Sequence, residues 1–189
     1  MTTERESLDD ALDRARRGDE AGFSELWRAL HPPLLRYLSI RCSQGFEDVA
    51  AETWLQVVRD LSGFIGNADG FRAWLFTVGR NRAIDAARAR AARPVVPVSE
   101  VPMIPHAAVA PSAETLALEQ LSTEQALALV ATLPADRAEL VMLRVVAGLD
   151  VPTIARIVGK SPGAVRVGVH RALRALEKDP RAQRAAGVA

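Results

Sequence analysis

The chain has 189 residues, with 24 Lys and Arg against 23 Asp and Glu, a formal net charge of +1. That balance excludes a uniformly basic, histone-like composition, and 49% hydrophobic content excludes an acidic disordered chain. One cysteine, Cys42, excludes an internal disulfide.

From the N-terminus, the stretch Met1 to Asp10 is acidic where a secretion signal would be basic and then apolar. Proline-rich uncharged runs such as Val101 to Ser112 are too short to span a bilayer. The expected location is therefore cytoplasmic.

Leu8 to Arg17 reads as a short helix ending at Gly18. Phe23, Leu26, Trp27, Leu30, Leu34, Tyr37 and Leu38 recur at helical spacing between Asp19 and Ile40. Within that run, Pro32 and Pro33 remove ladder donors, so a break or kink is expected there. A second helix is predicted over about Glu47 to Leu61, with Val49, Trp54, Leu55 and Val58 inward. Gly63, Gly66, Asn67, Asp69 and Gly70 make Ser62 to Gly70 a loop. A third helix follows, roughly Phe71 to Ala92, with Trp74, Leu75, Val78 and Ile84 buried and arginines on its other faces.

Prolines 94, 97, 102, 105 and 111 then exclude helix or central strand, leaving an extended linker over 94–113. Four helices are predicted after it: Glu114 to Leu133, Ala135 to Ala147, Val151 to Val158 and Pro162 to Lys178. The tail 179–189 has no apolar stripe. No stretch alternates with period two, so the fold class is all-α: two small helical domains, 1–93 and 114–178, joined by a proline-rich linker.

Charge is not spread evenly over this plan. Residues 1–69 carry a net charge of −5, 70–93 of +5, 94–133 of −4 and 134–189 of +5. Two basic segments separated by an acidic one suggest two contacts with a polyanion. The second basic segment holds a helix-turn-helix pattern: Asp150 as cap before Val151-Pro152, Gly159 in the turn, then Ser161 as cap before Pro162. On a helical wheel, Val165, Val169, Ala172, Leu173 and Leu176 take one side of the last helix. Ala164, Val167, His170, Arg171 and Arg174 take the other, with Arg166 at the flank. A recognition helix in a major groove needs that division, and small Ala164 and Gly168 would let it approach closely.

These residues resemble the bacterial extracytoplasmic-function sigma factors of RNA polymerase, in the sigma-70 superfamily. The similarity is carried by Gly18 to Leu26, Glu47 to Trp54, Phe71 to Asp85, Leu133 to Arg144 and the helix-turn-helix ending at Leu173. Gly79 stands where that family usually has Ala, and Thr153 where a capping-box Glu is common. The resemblance implies an alternative sigma factor that directs transcription initiation by reading −10 and −35 promoter elements. Its implied partners are core RNA polymerase, through the β′ clamp helices and the β flap, promoter DNA, and an anti-sigma factor. Asp48, Val49, Glu52, Thr53 and Trp54 would bind core polymerase. Asn67, Phe71, Arg72, Arg80, Asn81, Arg82, Asp85 and Arg88 would bind the −10 element, with Asn81 and the loop Gly63 to Gly70 holding a flipped base. Ser161, Ala164, Arg166, Val167, His170, Arg171 and Arg174 would bind the −35 element.

A stand-alone helix-turn-helix regulator is the competing reading, and it would bind duplex DNA without polymerase, usually as a dimer. An enzyme is disfavoured: the sequence has no Gly-rich phosphate loop and no Cys/His cluster. Neither a metal nor a cofactor is expected. Cys42 reads as a buried small side chain rather than a redox switch.

Overall fold

A computed structural model describes residues 2–92 and 123–181, and these are helical with no strand among them. The expected linker, the start of the helix predicted from Glu114 and the end of the tail lie outside the described residues.

Helix α1, Thr2–Arg16, lays Leu8, Ala11, Leu12 and Ala15 against α2, Glu20–Arg41. Gly18 turns the chain with φ +87°, and the Asp19 carboxylate caps α2 by accepting from the Ala21 amide at 2.9 Å. The two helices cross so closely that a Cβ on Gly22 would meet the Ala11 carbonyl oxygen at 2.8 Å. Arg14 ties the pair from outside, donating to Asp10 and Glu25, and these contacts raise its pKa.

Helix α2 does not break at Pro32 and Pro33; both lie inside one continuous helix. Two lost ladder bonds are tolerable because Leu26, Leu30, Leu34 and Leu38 are all buried along one stripe, spanning the prolines. Helix α3, Phe46–Asp60, buries Val49, Ala50, Thr53, Trp54 and Val57. Leu55 and Val58, expected inward, face solvent instead, because Thr53 and Val57 occupy the inward stripe. Thr53 joins it by donating its hydroxyl to the Val49 carbonyl at 2.7 Å.

After a short 3-10 turn, Leu61–Gly63, helix α4 runs over Ala68–Ala91. It starts three residues earlier than expected because Asn67 caps it, accepting from the Gly70 amide at 2.9 Å. Its buried residues are Ala68, Phe71, Leu75, Phe76, Val78, Gly79 and Ala83, while Trp74 and Ile84 are half-buried. Gly79 has a packing reason: a Cβ there would come within 3.0 Å of Leu34 Cδ1.

In the C-terminal part, helix α5 is described over residues 123–130. Helix α6, Ala135–Val141, continues as a π-helical segment, Met142–Val146, closed by Ala147 N–H donating to Met142 O at 2.9 Å. Met142 and Leu143 in that segment are buried. Helix α7, Val151–Val158, and helix α8, Pro162–Glu177, follow with the expected caps. Asp150 accepts from the Thr153 amide and Ser161 from the Ala164 amide, and Gly159 takes φ +68° in the turn between them. The Thr153 bonds hold the Asp150 carboxyl below its usual range. Thr153 is thus an adequate third residue for this cap.

The two halves share a core, since α6 and its π segment pack on α2. At the junction the Glu139 side chain is almost fully enclosed.

Candidate nucleic-acid interface

Helix α8 is held by few groups. Val165 and Ala172 are its buried residues, and α6 and α7 are the elements beneath it. Gly168, expected to help α8 approach a groove, serves the fold: a Cβ there would meet Leu140 Cδ1 at 2.5 Å. Leu173, expected inward, is largely exposed, because Ala172 occupies the seat. The outer face presents Ala164, Arg166, Val167, His170, Arg171 and Arg174 to solvent. Arg166, His170 and Arg171 make no hydrogen bond or ion pair among the described residues; Arg174 lies 4.0 Å from Glu177. Ser161 spends its hydroxyl as the cap. Three unpaired basic groups on one face of a helix-turn-helix can meet phosphates or base edges without breaking any internal contact.

Helix α4 carries its arginines differently. Arg80 donates from Nε to Glu139 Oε1 at 2.9 Å, and Arg82 donates from Nε and Nη2 to Gln56 Oε1 at 3.1 and 2.8 Å. Arg72 is half-buried and points at the C-terminal half, where a Cβ on Gly148 would lie 3.2 Å from its Nη1. Arg88 is exposed, 3.7 Å from Asp85, and Asn81 is exposed beside them. Phe71 is fully buried and cannot reach DNA; it is a core residue against Phe64 and Trp74. Asn67 is exposed but its amide oxygen is engaged as the cap.

Beside the start of α4 lies an open recess of about 580 Å³, lined by Arg59, Asp60, Ser62, Gly63, Phe64, Ile65 and Trp74. Phe64 stacks on Trp74 with ring centroids 5.2 Å apart, and Ile65 stands almost fully exposed. An unstacked base requires this kind of aromatic edge next to a cation. The glycine loop suggested the place from sequence, but not the aromatic pair, since Trp74 reads there as a core residue.

The set on α3 expected to bind polymerase divides in two. Asp48 and Glu52 are exposed, whereas Val49, Thr53 and Trp54 point into the core. Trp54 donates from Nε1 to His31 Nδ1 at 3.1 Å, and burial lowers the His31 pKa, which keeps that nitrogen an acceptor. The exposed apolar residues on α3 are Leu55 and Val58, which the inward assignment from sequence had hidden. Glu139, Tyr37 and Arg41 were also missed. Tyr37 O–H donates to Glu139 Oε1 at 3.0 Å across a gap of 102 residues, for which no sequence pattern exists.

Cys42 is buried and its thiol pKa is raised by that burial, consistent with a packing role. Among the described residues no cluster of His, Cys, Asp and Glu has metal-binding geometry, and no helix is long and apolar enough to cross a membrane.

The fold is that of a two-region sigma-70 protein. The family description of sigma-70 region 2 matches residues 26–93, and that of sigma-70 region 4 matches residues 123–176. The chain is 31% identical to the ECF RNA polymerase sigma factor SigD of Mycobacterium tuberculosis, over 95% of this chain and 86% of that one. It is 34% identical to the ECF RNA polymerase sigma factor ShbA of Streptomyces griseus, over 85% and 88% respectively. In fold it is similar to CnrH, solved in complex with the cytosolic domain of CnrY, with a TM-score of 0.59 and 21% identity over 90% of this chain and 95% of that one. The chain belongs to the extracytoplasmic-function family of RNA polymerase sigma factors.

Proposed function

We propose that this protein is an alternative sigma factor that binds core RNA polymerase and directs initiation at promoters by reading a −35 element with α8 and a −10 element with α4. The carrying observation is the exposed, unpaired trio Arg166, His170 and Arg171 on the second helix of a helix-turn-helix. Family membership leaves the stand-alone regulator without support. Arg72, Arg80, Asn81, Arg82 and Arg88 supply the −10 backbone contacts, and the recess beside Phe64 and Trp74 takes an unstacked base. Asp48 and Glu52, with exposed Leu55 and Val58, form the surface for the β′ clamp helices. Residues 114–178 also contact the β flap, and 94–113 connect the two readers. An anti-sigma factor is the expected regulatory partner. The protein works in the cytoplasm and makes or breaks no covalent bond.

Length sets a further condition. Elements centred 25 base pairs apart lie about 85 Å apart along B-DNA at 3.4 Å per pair, whereas a compact chain of this size has a radius of gyration of about 16 Å. The two halves must separate to read both elements at once.

Run-off transcription with purified core enzyme on a pool of genomic promoters tests the reading. A promoter-dependent transcript that requires this chain is expected; its absence from every promoter contradicts the reading.

A further inference from the structure

The closed junction places three donors around one oxygen. Glu139 Oε1 accepts from Tyr37 O–H at 3.0 Å and from Arg80 Nε at 2.9 Å, and Arg41 Nε lies 3.3 Å away without the alignment of a hydrogen bond. Glu139 is 5% exposed, Tyr37 is fully buried, and both arginine side chains are about one-fifth exposed. Tyr37 has its pKa raised by that burial first and by the Glu139 charge second. Two guanidinium groups therefore face one carboxylate, and the cluster keeps a net positive charge after pairing. Asp136, on the same helix as Glu139, is held acidic mainly by Lys160, with smaller contributions from Arg41 and Arg80. Arg41 is exchanging no aligned bond here, so it is under-used in the closed state.

Two guanidinium groups and a phenol converging on one carboxylate oxygen could equally receive a phosphodiester oxygen, which accepts charge-assisted bonds from Arg N–H as a carboxylate oxygen does. We propose that Arg41 and Arg80 form a binding site for a promoter backbone phosphate, and that Glu139 occupies this site as a latch in the closed chain. The inference rests on the sigma-factor reading and adds to it Arg41 as a DNA-contacting residue and Glu139 as its internal competitor. In the closed state Glu139 bonds Arg80, pairs by charge with Arg41, and fills the place a phosphate would take. Separation of the halves removes Glu139 and leaves the pair open to phosphate in one step.

The test uses the full chain without polymerase and a single-stranded DNA oligonucleotide, with affinity followed against salt. Replacing the charge but not the shape, Glu139→Gln should tighten binding and steepen the log–log salt slope by about 0.7, for the one phosphate gained. Small-angle scattering should show the same variant expanded relative to the wild type. Adding Arg41→Ala to Glu139→Gln should reduce the gained slope while leaving the expansion in place. A slope unchanged by Glu139→Gln, whether or not the chain expands, overturns the proposal. So does a gained slope that Arg41→Ala leaves intact, since the phosphate then sits elsewhere. Run-off transcription by the wild-type chain is scored separately. A transcript alongside an unchanged slope removes only the latch, whereas no transcript removes the reading beneath it.

Discussion

Helices α4 and α8 both carry the arginines proposed to meet DNA, but they are built in opposite ways. Helix α8 rests on two buried residues and holds its basic groups out unpaired. Helix α4 is a core element with seven buried residues, and its arginines are engaged: Arg80 with Glu139, Arg82 with Gln56, and Arg90 with the Gln44 carbonyl. A duplex reader can be presented complete, because its ligand is rigid and its groove is already open. A reader of melted DNA acts only once the strands separate, and internal partners that occupy its cations until then keep the free protein from scavenging nucleic acid. The contrast predicts that the free chain engages duplex DNA weakly and through α8 alone, and that both helices engage once polymerase holds the halves apart.

The largest way to break this comparison is to remove the core support of α4. Phe76 is fully buried with its ring 5.5 Å from that of Tyr37, the residue that holds Glu139. Phe76→Ala should cost about 3–5 kcal/mol of stability, read by urea denaturation, and loosen both α4 and the interdomain contact. A loss below about 1 kcal/mol would show that α4 is no better anchored than α8.

Next in size is the outer face of α8. Arg171→Ala should weaken binding to the −35 element by about 1–3 kcal/mol if the side chain reads a base, with the loss concentrated at one or two positions. A small loss spread evenly over all sequences would make Arg171 a phosphate contact. Protein stability should not change, because Arg171 is exposed and unpaired.

Asn67 separates capping from reading at the other helix. Asn67→Ala should lower stability by about 1 kcal/mol through loss of the Gly70 amide bond. Asn67→Asp keeps that acceptor and should restore stability, so any promoter defect remaining in Asn67→Asp belongs to DNA contact.

How much of this was legible beforehand varies with the distance between cause and effect along the chain. Asp150, Gly159, Ser161 and Pro162 act within four residues of themselves, so the helix-turn-helix and its exposed face could be read directly. Helix α3 was placed correctly but rotated, because Thr53 looks polar until its hydroxyl is seen bonding back to Val49. Phe71 was expected at DNA only through the family resemblance; with α4 starting at Ala68 its side chain is fully buried in the core. The prolines of α2 suggested a break, but a buried leucine stripe on both sides outweighed two missing donors. Glu139 could not be found at all, since its partners lie 59 and 102 residues away and local patterns carry no trace of them.

The smallest expected effect concerns pH at the contact between His31 and Trp54. His31 has a lowered pKa in the folded chain because burial disfavours its charged form, and it accepts from Trp54. The unfolded chain therefore binds the proton more readily, so stability rises with pH and is lost as pH falls below about 6.5. Melting temperatures between about pH 7 and pH 5 should fall more for the wild type than for His31→Gln, in which the position no longer titrates. Equal slopes would place the acid sensitivity elsewhere.

The account turns on two readers in one chain engaging two separated promoter elements, and hydroxyl-radical footprinting of the chain with core polymerase on one promoter tests it most directly. Protection should appear at both elements, about 25 base pairs apart; Arg171→Ala should thin the upstream footprint and Arg80→Ala the downstream one. Protection at both elements by the chain alone, or a single footprint that both substitutions weaken equally, would contradict it.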